Sequence, residues 1–161
     1  MKKILAITQI LSWSNLVIGA ILALFALLTL LSLPALAVLL SVVLIGCIVL
    51  HSYAALQLRK SILNEAIPLN KQTPVGIRMM GYMSLFFAIM LFANAIFLLQ
   101  NTRELVKQVK IPPQVKPSDF INIVHGTAIF ILVFSLSVII NVSLNLRLLK
   151  WYTVSRANKS N

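Results

Sequence analysis

The residues best suited to acid–base, nucleophilic or metal chemistry are few: His51, His125, Cys47, Glu65, Glu104 and Asp119. Cys47 and His51 stand four residues apart and would share one face of a helix. Two ligands without further partners do not make a metal site. His51 lies about eight residues from the inner end of its apolar run, or roughly 12 Å deep, whereas His125 is near the opposite end of another run. The two histidines are therefore expected on opposite sides of a bilayer, sharing no metal. His51 is expected to be a buried polar residue bonded to a neighbouring helix. A lone cysteine excludes an intramolecular disulfide and a dithiol redox centre. All three acidic residues fall outside the apolar runs, so the embedded carboxylate of a proton-coupled pump is missing. Paired carboxylates and phosphate-binding glycine loops are absent as well. The expectation is a protein that is not an enzyme and holds no metal or cofactor.

The remaining chemistry is hydrogen bonding. Ser137, Asn141 and Asn145 recur at i, i+4 spacing and form one polar stripe. Ser12 and Asn15 precede Gly19 and Ala23, and Gly81, Ser84 and Ala88 repeat the theme. Small residues at such spacing let helices approach closely, and Asn or Ser can bond across them. Bundle packing explains these patterns; a small polar cavity open to the cytoplasm, taking a ligand or a lipid head group, is the sharper reading. The candidate ligand-binding set is Asn15, His51, Ser84, Asn141 and Asn145, each within about two to three turns of an inner helix end. Polar groups facing lipid are costly, so these side chains should point inward and find one another. The outer half should then be almost purely apolar, with Asn94 as an exception. Met79, Met80, Met83 and Met90 read as adaptable core filler rather than a copper ladder.

The elements that would position these residues are four long apolar runs. Apolar residues make up 60 % of the 161 and charged residues 11 %, against about 25 % charged in soluble domains. Runs of about 20 apolar residues match a hydrocarbon layer of roughly 30 Å. The reading is an all-α, integral membrane four-helix bundle, up-down-up-down, in one domain over 1–161, with helices at about 10–33, 35–58, 77–100 and 120–149. Lys2 and Lys3 before the first run raise the question of a signal peptide, and Ala35-Leu36-Ala37 offers a cleavage site. The run is too long for a signal h-region, and the chain continues apolar beyond it, so an uncleaved helix is expected. Only Ser32, Leu33 and Pro34 separate the first two runs, which implies an antiparallel hairpin with Pro34 at a helix start. Polar loops are expected over Arg59–Gly76, with Pro68 and Pro74, and over Gln100–Asp119, with Pro112, Pro113 and Pro117. The stretch Arg103–Lys110 could lie on the membrane surface or be a solvated loop. Ser118 or Asp119 is the expected cap of the fourth helix. Trp151–Asn161 reads as a short polar tail.

The net charge of +11 is not gathered on a soluble module, which argues against nucleic acid as a partner. The cations sit at the ends of the apolar runs, where they set topology and meet anionic head groups. With both termini inside, ten are cytoplasmic: Lys2, Lys3, Arg59, Lys60, Lys71, Arg78, Arg147, Lys150, Arg156 and Lys159. Four are outside: Arg103, Lys107, Lys110 and Lys116. Trp13, Tyr53, Tyr82, Trp151 and Tyr152 all fall near the inner ends, at head-group level. Leu56-Gln57-Leu58-Arg59 weakly echoes Leu144-Asn145-Leu146-Arg147; a shared need for a basic inner end explains this as well as duplication does. The expected role is a non-catalytic subunit, scaffold or lipid-contacting module of a bacterial inner membrane. Its partners would be the lipid bilayer and a membrane protein or a second copy of itself. A small-molecule transporter or channel component, with its polar site in the cytoplasmic half, is the alternative.

Overall fold

The computed structural model describes residues 2–64, 66–70, 72–109 and 116–160, and for residue 2 and residues 157–160 the backbone only. Glu65, Lys71, Lys110, Pro112 and Pro113, and the side chains of Lys2 and Lys159, thus lie outside the described residues. Among the described residues the chain is helical with short connections: α1 (Lys2–Ser32), α2 (Leu36–Leu63), α3 (Thr73–Gln108) and α4 (Pro117–Ser160). Each is long and apolar enough to cross a membrane. Even α2, the shortest at 28 residues, is about 42 Å long at 1.5 Å per residue, against roughly 30 Å of hydrocarbon.

The helices outrun the apolar runs that predict them. α1 starts at Lys2 rather than near residue 10, α2 runs on to Leu63, and α3 carries Arg103, Glu104 and Lys107 as helix, not loop. Trp151 to Ser160 continues α4 and is not an irregular tail. Loss of hydrophobicity does not end a helix; punctuation does. Arg, Glu, Leu, Lys and Gln are good helix formers, and no Pro follows Pro117. Two details of the helix starts differ from expectation. Ser118 and Asp119 lie inside the first turn of α4, because the amides of Asp119 and Phe120 donate to the Lys116 carbonyl at 3.0 and 3.1 Å. Pro117 is the first helical residue, where its missing N–H costs nothing, and the Asp119 carboxylate suits the positive helix end. In α2 the cap is Ala35, with extended backbone and no side-chain bond, and Pro34 precedes it.

The helices divide into two compact units, Met1–Phe87 with Ser137–Asn161, and Ala88–Leu136. In the first, α1 packs along α2. The Arg59 Nε–H donates to the Leu5 carbonyl at 3.3 Å, while a Cβ on Gly19 would lie 3.1 Å from Val49 Cγ2. The start of α1 therefore meets the end of α2, an antiparallel pair closed by the tight turn at 33–35. Leu5, Leu58, Ile77, Leu148 and Leu149 form a core to which all four helices contribute. In the second unit, Ala88, Ala95 and Ala128 are fully buried, small side chains that let α3 and α4 approach closely. Phe130 and Phe134 stack there at 6.2 Å between centroids. Large apolar side chains cover the surface of both units, Leu31, Leu36, Phe86 and Phe97 among them, as lipid-facing helices require.

Candidate functional site

The polar side chains lie inside instead. Asn15, His51, Ser84, Asn141 and Asn145 are all buried in the first unit, and so are Ser12 and Ser52. On α1, Leu5, Thr8, Ser12, Asn15 and Gly19 form one buried row at spacings of three and four, so the polar groups occupy the stripe that packs against the other helices.

Three of the five candidates bond between α1 and α4, in two separate groups. The Ser12 hydroxyl donates to Asn141 Oδ1 at 3.0 Å. Asn145 Nδ2 donates to the same Oδ1 and to the Asn141 carbonyl, both at 2.8 Å, and reaches Ser12 Oγ at 3.5 Å. The Ser137 hydroxyl donates to Asn15 Oδ1 at 2.9 Å. Residue numbers rise on α1 as they fall on α4, so these two helices also run in opposite directions. The other two candidates bond elsewhere. Ser84 turns back on its own helix and donates to the Met80 carbonyl at 2.7 Å. His51 Nδ1 lies 3.2 Å from the carbonyl of Ile77 on α3. A carbonyl only accepts, so Nδ1 carries the proton and Nε2 is the basic nitrogen. Gly81, one turn beyond Ile77, makes room: a Cβ there would lie 3.1 Å from both Nδ1 and Cε1 of His51.

Three buried polar atoms have no hydrogen-bond partner among the described residues: Asn15 Nδ2, His51 Nε2 and Ser52 Oγ. They stand close to one level. A Cβ on Gly19 would lie 3.8 Å from Ile48 Cγ2; one turn back along α1 and one turn on along α2, the antiparallel register brings Asn15 level with Ser52. The three atoms are an amide donor, an imidazole acceptor and a hydroxyl, each on a different buried side chain. Cys47 shares the buried face of α2 with His51; among the described residues no group of three His, Cys, Asp or Glu stands together.

Sequence reasoning missed two features. Ser52 falls in the buried row Ile48–Ser52–Ala55 of α2, and that spacing alone could have picked it out. In the second unit, Glu104, Arg103, Thr102 and His125 line one cavity of about 410 Å³, which becomes visible only once α3 is known to continue past Gln100. The Thr102 hydroxyl there is bonded to the Leu98 carbonyl. That unit also buries Ser135, bonded within its own helix to the Leu132 carbonyl at 2.9 Å. Asn94 lies exposed on its surface.

His51→Leu removes one interhelical hydrogen bond and is expected to lower stability in detergent by about 0.6 kcal/mol, the average for such bonds in membranes. Unfolding of the purified variant in mixed micelles reads this out. A variant as stable as the parent that loses an activity in cells would assign His51 a role beyond structure.

No protein-family model, no curated protein and no solved structure matches this chain.

Proposed function

We propose that this chain is a non-catalytic, multi-pass membrane protein of the bacterial inner membrane, a subunit, scaffold or lipid-contacting module. Its helices would run up-down-up-down with both termini in the cytoplasm. The observation that carries this reading is the pair of interhelical bonds Ser12–Asn141 and Asn15–Ser137, which tie α1 to α4. Interior polar groups committed to holding helices together are what a packed bundle needs, and they leave few groups for chemistry. The antiparallel pairs α1–α2 and α1–α4 are compatible with the up-down order. Trp13, Tyr53, Tyr82 and Trp151 are exposed on the surface of the first unit, where a head-group belt on the cytoplasmic side would sit.

The alternative, a transporter or channel component, draws on the unpartnered atoms of Asn15, His51 and Ser52, which a polar path would use. One labelling experiment addresses both readings. Cys47 is the only cysteine in the sequence, so Cys47→Ala gives a clean background. A membrane-impermeant thiol reagent applied outside intact cells is expected to label S118C and to miss S155C. The reverse pattern overturns the orientation. S52C is expected to stay unlabelled in opened membranes; rapid labelling there would favour the transporter reading.

A further inference from the structure

Another cavity in the first unit, between α3 and α4, has a different character. It has a volume of about 530 Å³ and is lined by Arg78, Tyr82, Leu146, Arg147, Leu149 and Lys150. We propose that it binds the phosphate head group of an anionic phospholipid. The proposal rests on the reading of the chain as membrane-embedded.

Three cations converge on one space. The two described carboxylates, Glu104 and Asp119, both belong to the other unit and line no part of it. Like charges held together repel, and a bound anion relieves that repulsion. Two of the three are arginines, whose planar donor fork fits phosphate oxygens in pairs. The surface beyond the cations is mostly apolar, and the hydroxyl of Ser143, exposed one turn before Arg147, is bonded back to the Ile139 carbonyl at 2.8 Å. Arg78, Tyr82 and Phe86 follow at i, i+4 spacing on one face of α3, and Tyr82 and Phe86 are exposed. On α4, Ile140 is exposed seven residues before Arg147, two turns along the same face. A tyrosine beneath a cluster of cations, with apolar surface running away from it, matches a head group, its interfacial glycerol and its acyl chains in turn. Free phosphate would engage only the charged end, which is why a lipid is the better occupant.

A second cavity, lined by Gln9, Trp13, Tyr53, Leu56, Gln57, Arg59 and Lys60 among others, measures about 400 Å³. It holds two cations, and the Nε–H of one of them, Arg59, is engaged by the Leu5 carbonyl. It therefore serves as the internal control.

The test uses the full chain, purified in mild detergent, stripped of lipid and measured by native mass spectrometry. Phosphatidylglycerol, phosphatidylcholine and inorganic phosphate are added separately. The parent is expected to retain one phosphatidylglycerol, with phosphatidylcholine at least about tenfold weaker and inorganic phosphate not retained, as three cations each contributing to anionic-lipid attraction imply. R78Q/R147Q/K150Q should lose phosphatidylglycerol at least tenfold, and R59Q/K60Q should keep it. Should the triple variant lose its helical circular dichroism, single Arg147→Gln replaces it, with a loss of several-fold expected. Equal retention by the cavity variant and the parent, or equal binding of phosphatidylcholine, overturns the site. Retention of inorganic phosphate as tight as that of phosphatidylglycerol overturns the lipid as its source. A chain that carbonate washing removes from membranes would overturn the membrane reading instead, so the two failures are separable.

Discussion

Asn141→Leu is expected to lower stability by about 2–3 kcal/mol, more than any other single polar substitution between α1 and α4. Asn141 Oδ1 accepts from both Ser12, at 3.0 Å, and Asn145, at 2.8 Å. Leucine removes that acceptor, leaving Ser12 without its close partner and Asn145 with only the Asn141 carbonyl and a long contact to Ser12. One hydrogen bond in a membrane averages about 0.6 kcal/mol and reaches about 1.7. A buried donor left unpaired costs a further 1–3 kcal/mol or so, and the second term decides the outcome. Unfolding in mixed micelles, followed by far-ultraviolet circular dichroism, gives the number. Ser12→Ala should cost less, and adding it to Asn141→Leu should recover part of the loss, because it removes the donor left unpaired. A fully additive double variant would show that the α1–α4 contact is not coupled as the geometry implies.

The second large effect is expected at Gly81. A Cβ there would stand 3.1 Å from His51 Nδ1 and Cε1 and 3.4 Å from Val142 Cγ1. The imidazole cannot retreat freely, because Nδ1 is held 3.2 Å from the Ile77 carbonyl. Alanine would gain up to about 1 kcal/mol of helix propensity, which offsets part of the crowding. Gly81→Val has less of that gain and adds two methyl groups, so overpacking of about 1–3 kcal/mol dominates. The expected result is a destabilised variant that His51→Ala partly rescues by emptying the space beside residue 81. If valine is equally harmful with and without the imidazole, the crowding lies elsewhere.

How far the sequence could be read follows from what each signal measures. Hydropathy marks the stretches that suit lipid, so the four apolar runs and the turn at Pro34 were legible. It does not mark helix ends, which is why Arg103 and Glu104 read as loop residues although they extend α3. Polar residues in apolar runs stand out at once, and Asn15, His51, Ser84, Asn141 and Asn145 are all buried. Their partners were not legible. Depth along a helix comes from counting residues, but rotation around it depends on contacts between helices. That is why Ser84 bonds to its own backbone and His51 to a carbonyl of α3, rather than joining the asparagines. Backbone carbonyls leave no trace in a pattern of side chains, and neither does the space that Gly81 leaves for an imidazole.

The bond between Ser12 and Asn141 spans 129 positions of the chain, and that separation imposes an order on biosynthesis. At about 5–20 residues per second on the ribosome, α1 waits roughly 6–25 seconds for the helix that completes its hydrogen bonds. During that wait Ser12 and Asn15 have no α4 to face. Arrival of the last helix then acts as a latch that a truncated or stalled chain never closes.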